Sequence, residues 1–184
     1  MRQVLFVVAS MVAVGGMTVA TLSAQSSYAP APVVYDGGPT SGVDVAVVDD
    51  LNGDGAADLA VLHGMLPCFV EWVCGASGAL IRADNLSMVL RDVYQVLTID
   101  DLDGDGLREI VISGRTQSVR RYGVFNFATA SFVWTRDDPN MTSDPIDVAL
   151  ISDRDGDGLR DLLVGFSTNL RFASSASGQL VDLI

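Results

Sequence analysis

The chain has 184 residues, 23 acidic and 11 basic side chains, one His and a formal net charge of −12. That balance excludes a nucleic-acid binder working through a basic patch, because neutralising phosphates takes Lys and Arg in excess. An apolar fraction of 49% argues against a disordered chain, and one His with two Cys leaves little material for zinc or thiol chemistry.

After Arg2 no charged residue occurs until Asp36, and Val4 to Leu22 is almost wholly Val, Ala, Leu, Met, Gly and Thr. One positive charge, an apolar run and then small residues is the layout of an export signal. The expected cut follows Ala24, with Ala20 as the competing site, so residues 1–24 read as a signal peptide. The other reading is an uncleaved anchor, since 19 residues just suffice to cross a bilayer. Either way the remainder is expected outside the cytoplasm, secreted or at the cell surface, with no membrane contact once the signal is cut. Residues 25–42, rich in Ser, Ala, Pro and Gly, read as a linker.

From there the sequence repeats. VAVVDDLNGDGAADLAVL from Val45, VLTIDDLDGDGLREIVIS from Val96 and VALISDRDGDGLRDLLVG from Val148 are copies of one block. Their loop openers Asp50, Asp101 and Asp153 lie 51 and 52 residues apart. A fainter block follows each: WVCGASGALI from Trp72, FNFATASFVW from Phe125 and FASSASGQLV from Phe172. A period near fifty residues belongs to propellers and arrays. The units run over about residues 43–92, 93–145 and 146–184.

Each unit divides into four short apolar runs bounded by Gly, Asp, Ser or Asn, as expected of strands. In the first unit these are Val43–Val48, Asp58–His63, Phe69–Cys74 and Ala79–Arg82. In the second they are Tyr94–Ile99, Glu109–Ser113, Tyr122–Phe127 and Phe132–Thr135. In the third they are Asp147–Ile151, Asp161–Gly165, Leu170–Ser174 and Leu180–Leu183. The first run of each is apolar on both alternations, which predicts a strand buried on both faces. The expected fold is therefore all-β, three four-stranded units arranged like part of a propeller.

The acidic loops carry the chemistry. They are Asp50-Leu-Asn-Gly-Asp-Gly-Ala-Ala-Asp58, Asp101-Leu-Asp-Gly-Asp-Gly-Leu-Arg-Glu109 and Asp153-Arg-Asp-Gly-Asp-Gly-Leu-Arg-Asp161. Oxygen-bearing side chains stand at positions 1, 3, 5 and 9 of each loop: Asp50, Asn52, Asp54, Asp58; Asp101, Asp103, Asp105, Glu109; Asp153, Asp155, Asp157, Asp161. At position 7, Ala56, Leu107 and Leu159 can offer only a backbone carbonyl. A hard cation such as Ca²⁺ takes six to eight oxygen ligands, so up to three ions are expected. The loops hold eleven of the chain's 23 acids, a crowding that a divalent ion relieves. An EF-hand would need an acid at position 12, where Val61, Ile112 and Val164 stand. The plainer alternative is a good hairpin turn, which Asp and Gly also favour. Mg²⁺, with its strict octahedral demand, fits less well.

The loop pattern between strands, the fifty-residue period and the Ala-Ser-Gly-Ala-Leu-Ile turn at Ala76–Ile81 resemble FG-GAP or VCBS-type repeats, relatives of the β-propeller of integrin α subunits. The resemblance covers about residues 43–184, and the second copy departs from the turn at Ala130 and Ser131. It implies that each unit is a four-stranded blade with calcium in the hairpin between its first two strands. It also implies that ligands use the opposite end, which carries His63–Pro67, Gly114–Arg121 and Arg136–Ile146. Propellers close with about four to eight blades. Three units therefore point to a fragment, to chains associating to complete a ring, or to an open stack.

Arg115, Arg120 and Arg121 could meet an acidic glycan or carboxylate, or could simply balance nearby acids. His63 reads as a structural residue. No serine–His pair, nucleophile elbow or phosphate loop is present. If Phe69–Cys74 is one extended strand, Cys68 and Cys74 lie about 20 Å apart, too far for a disulfide. Trp72, Phe125, Phe127, Trp134 and Phe172 are expected to pack between units, and Asn85 and Asn140 head glycosylation sequons. The expected function is non-enzymatic: a secreted calcium-binding module for adhesion to, or recognition of, an unidentified protein or glycan. The alternative is part of a larger secreted carbohydrate-active enzyme.

Overall fold

The structure is a computed structural model; it describes residues 6–14, 17–25, 42–64, 66–138, 147–165 and 170–181. Two units are distinguished, Met1–Val34 and Tyr35–Ile184. The first contains a hairpin of β1 (Phe6–Val14) and β2 (Met17–Gln25), antiparallel from Phe6↔Gln25 to Val14↔Met17. This hairpin occupies the segment expected to be an export signal or anchor. Among the described residues no helix is long and apolar enough to cross a membrane. Most of the expected linker lies outside the described residues.

The second unit is all-β. β3 (Gly42–Val47), β4 (Leu59–His63), β5 (Phe69–Val73) and β6 (Leu80–Asn85) form one antiparallel meander. β7 (Asp92–Thr98), β8 (Ile110–Arg115), β9 (Arg120–Asn126) and β10 (Ser131–Asp138) form a second. β11 (Asp147–Ile151), β12 (Asp161–Gly165) and β13 (Leu170–Ala173) form a third. The fourth run expected there is present only as a bridge from Leu180 to Ala173. Val181 adds an amide bond to the Phe172 carbonyl at 2.9 Å, while residues 182–184, the connection after β10 and the Asn140 sequon lie outside the described residues.

The second sheet is packed on both faces. Toward the first sheet it presents Val96, Ile110, Ile112 and Phe125, which meet Ala46, Val48, Ala60, Leu62, Val70 and Trp72. Toward the third it presents Leu97, Ile99, Val111, Tyr122 and Val124, which meet Val148, Leu162, Val164 and Ala173. Trp72 crosses the first boundary, with ring centroids 6.3 Å from Phe125 and 5.0 Å from Phe127. Fully burying each such side chain contributes about 1.5–3 kcal/mol. This explains why the adjacent residues Ile110, Val111 and Ile112 of β8 are all apolar: alternate side chains enter different cores.

Strand burial on both faces was expected of every first strand, and here the structure corrects the sequence. Val45 and Val47 of β3 are 55% and 59% exposed, whereas Ala46 and Val48 are buried. The apolar pattern is the same in each copy, but among the described strands of the second unit β3 has no preceding sheet to pack on, as β7 and β11 have. Cys68 and Cys74 stand at opposite ends of β5, both buried and unbridged.

The same polar contacts join each sheet to the next. Asp44 accepts from the Val96 amide at 2.9 Å, and Gln95 accepts from the Val148 amide at 2.7 Å. Arg82 of β6 donates to the Phe127 carbonyl, and Trp134, at the equivalent position of β10, donates its Nε1 to the Ser175 carbonyl at 2.9 Å.

Candidate metal sites in three acidic hairpin loops

Each acidic loop joins the first two strands of its sheet, between β3 and β4, β7 and β8, and β11 and β12. All three curl in the same way. The position-1 carboxylate accepts from the two glycine amides at positions 4 and 6: Asp50 from Gly53 and Gly55 at 2.7 Å each, Asp101 from Gly104 at 2.7 Å and Gly106 at 2.9 Å, Asp153 from Gly156 at 2.7 Å and Gly158 at 2.8 Å. These glycines have φ between +77° and +90°, a region costly for any residue with a Cβ. The side chain at position 3 accepts from the amide at position 5, and position 5 from the amide at position 7. Thus Ala56, Leu107 and Leu159 are drawn in by their amides. The position-9 carboxylate accepts from the amide at position 2: Asp58 from Leu51, Glu109 from Leu102 and Asp161 from Arg154, each at 2.7 Å.

The convergence of carboxylates differs among the loops. In the second, Asp101, Asp103, Asp105 and Glu109 each place a carboxylate oxygen within 4.8 Å of the others. In the third, Asp153, Asp155 and Asp161 do so, and Asp157 stands outside the group. In the first the group is Asp54, Asp58 and the thiol of Cys74, with Asp50 outside it. Asn52 in that loop is exposed, its Oδ1 held by the Asp54 amide. Groups of this kind could hold a metal ion.

The residue at the end of each sheet's third strand decides what closes the loop. Cys74 donates its thiol to Asp54 Oδ2 at 3.0 Å. Asn126 donates to Asp103 Oδ2 at 3.0 Å and Glu109 Oε1 at 2.9 Å. Sequence reasoning missed both; the signal was their shared repeat position at the end of the third strand, where Ser174 stands in the third copy. The second oxygen of position 9 is consequently satisfied in two loops, by Gly75 N on Asp58 at 2.9 Å and by Asn126 on Glu109. In the third it is not: Asp161 is fully buried, and its Oδ1 has no hydrogen-bond partner among the described residues.

Electrostatics follows the geometry. Burial pushes the Asp161 carboxyl above the usual range, and the nearby Asp155 and Asp157 push it further. Burial likewise raises Glu109, against the Leu102 amide and Asn126, which favour its anion. The amides of Gly156 and Gly158 hold Asp153 below the usual range, and the Cys74 thiol does the same for Asp54. A cation among these groups would offset both burial and mutual repulsion.

At the other end of the strands, two of the three arginines are ion-paired within the chain, and the third, Arg120, keeps a buried Nη1 with no hydrogen-bond partner among the described residues. Arg115 pairs with Asp92, Arg121 pairs with Asp137 at 2.6 Å, and Arg120 is buried. His63 is buried, with Nε2 3.0 Å from Glu71 Oε2 and its ring stacked on Phe69.

Fold and site together define an all-β repeat protein with three successive antiparallel sheets, each bearing an acidic hairpin loop whose carboxylates could hold a metal ion. No family model matches the chain, and no curated protein matches it.

Proposed function

We propose that the chain is a calcium-binding, β-propeller-like repeat module, secreted or at the cell surface, that recognises a protein or glycan ligand and catalyses no reaction itself. The observation that carries this reading is the buried, unpartnered Oδ1 of Asp161 beside Asp153 and Asp155. An oxygen left bare in a protein interior costs free energy that a bound cation would recover. The donors in the second and third loops are all oxygen, which suits a hard ion.

The candidate ligands are Asp50, Asn52, Asp54 and Asp58 in the first loop, Asp101, Asp103, Asp105 and Glu109 in the second, and Asp153, Asp155, Asp157 and Asp161 in the third. The carbonyls of Ala56, Leu107 and Leu159 would complete them. The resemblance of these loops to FG-GAP or VCBS-type repeats supports the same assignment. Calcium neutralises the clustered carboxylates and, by binding only the folded loops, stabilises the fold by mass action. Affinities on the order of 10⁻⁴–10⁻³ M are expected, as in extracellular modules.

Scanning calorimetry tests this. Millimolar Ca²⁺ is expected to raise Tm, and EDTA to reverse the rise. Asp161→Asn, which keeps an acceptor for the Arg154 amide, should leave the metal-free Tm unchanged or higher while removing one ion from the titrated stoichiometry. A Tm indifferent to millimolar Ca²⁺ would overturn the reading.

A further inference from the structure

The boundary between the first and second sheets and that between the second and third are two instances of one head-to-tail junction. Equivalent positions make the same contacts. Val45, Val96 and Val148 occupy one repeat position, facing back toward the preceding sheet; they are 55%, 4% and 3% exposed. Val70, Tyr122 and Leu170 occupy another, facing forward, and are 0%, 3% and 62% exposed. Among the described residues this junction is built twice, and its two halves recur unpaired on the back of β3 in the first sheet and on the forward face of the third; farther across the first sheet the same back face is buried at His63, Glu71 and Val73.

Both open halves carry apolar residues at positions that the closed ones bury. The back face presents Val45 and Val47, with Leu59 and Val61 half-buried between them. The forward face presents Leu170, with Ile151, Leu163 and Phe172 half-buried. The polar contacts match as well. Where Asp44 caps the Val96 amide and Gln95 the Val148 amide, Asp147 is the equivalent exposed acceptor, and the equivalent amide, that of Val45, is held by its own Asp44 at 2.9 Å.

Charges agree with this. Inside the chain, Asp49 pairs with Arg108 and Asp100 with Arg160 across successive loops. At the open junction the corresponding residues are Ser152 and Ala57, so neither of these two positions brings an unpaired charge; the charge on the forward face is Arg154, which stands where Leu51 and Leu102 pack in the closed junctions and lies 4.1 Å over the Phe172 ring.

We propose that these two faces bind each other between two copies of the chain, head to tail, each copy's third sheet stacking on the other's first. Two copies joined in this way align six of the described meander sheets head to tail. The proposal rests on the repeated junction and not on the metal reading.

The test is sedimentation of the full chain, wild type, Val47→Asp and Leu170→Asp, with Ca²⁺ and with EDTA. Both side chains are more than half exposed, so the variants should fold, and circular dichroism checks that. Wild type is expected to be dimeric, and each variant alone to dissociate at least about a hundredfold more readily, because every junction then buries an unpaired carboxylate. Mixing the variants restores one intact junction, between the third sheet of the Val47→Asp chain and the first sheet of the Leu170→Asp chain, so a mixed dimer forms. Wild type monomeric to about 100 μM, a concentration that saturates a micromolar interface, overturns the proposal. So does either variant dimerising alone like wild type, or a mixture that stays monomeric. If dimers persist in EDTA and no Ca²⁺ effect on Tm is found, the metal reading fails and this one stands.

Discussion

The carboxylate of Asp49 receives both the main-chain amide of Arg108, at 2.7 Å, and its guanidinium, at 2.8–2.9 Å, from 59 residues further along the chain. Asp100 receives Arg160 in the same way one sheet on, with the amide at 2.8 Å and Nη2 at 2.7 Å. Each clasp ties the residue just before one acidic loop to position 8 of the next, so neighbouring loops are held in fixed relation. The arginine beside each aspartate holds its carboxyl below the usual range.

A double-mutant cycle on Asp49→Ala and Arg108→Ala should give a coupling of about 0.5–1 kcal/mol, because both side chains are partly exposed to water. The coupling should shrink in 1 M salt, where screening reaches about 3 Å. Urea denaturation of the four proteins measures both. A coupling of zero at low salt would mean the clasp only decorates the surface.

Trp72 is the largest side chain among those fully buried, and it bridges the first two sheets through Phe125 and Phe127. Trp72→Ala should cost about 3–5 kcal/mol, a large share of the roughly 5–15 kcal/mol of a typical domain. Denaturant midpoints report it; a loss under 1 kcal/mol would show that the sheets do not depend on this contact.

The turn after each third strand needs a left-handed residue, supplied by Gly78 at φ +72°, Ala130 at φ +53° and Gly178 at φ +67°. Ala130→Gly should therefore stabilise by up to about 1 kcal/mol, relieving the Cβ strain. Gly178→Ala should destabilise by more than that strain alone, because its Cβ would lie 2.6 Å from the Trp134 ring. Thermal melts of the two variants should move in opposite directions, and a common direction refutes the assignment.

Asp137 titrates below the ordinary carboxylate range because of the Arg121 guanidinium beside it. Stability from this pair is fully present above the unfolded Asp value of about 3.9, and is lost as pH falls through the lowered native value. NMR titration of the Asp137 carboxyl should give a midpoint below 3.9, and Arg121→Gln should return it to the ordinary range. A midpoint already ordinary in the unmodified protein would show the pair is not formed in solution.

Much of this molecule is local and therefore legible in the sequence. Strand identity follows from short Val- and Ile-rich runs between turn residues. The curl of each acidic loop follows from Asp at position 1 and Gly at positions 4 and 6, because the bonds that close it span no more than five residues. Contacts between sheets are another matter. The same both-faced apolar pattern occurs at Val45 and at Val96, yet one is exposed and the other buried, since burial depends on which sheet lies opposite and not on the strand itself. Likewise the repeat spacing places four oxygens in every loop, but only packing decides that Cys74 and Asn126 reach into two of them and that Asp161 keeps one oxygen bare. Short-range hydrogen bonding is written along the chain; the environment of a side chain is set by segments some fifty residues away, which the residue's own neighbours do not encode.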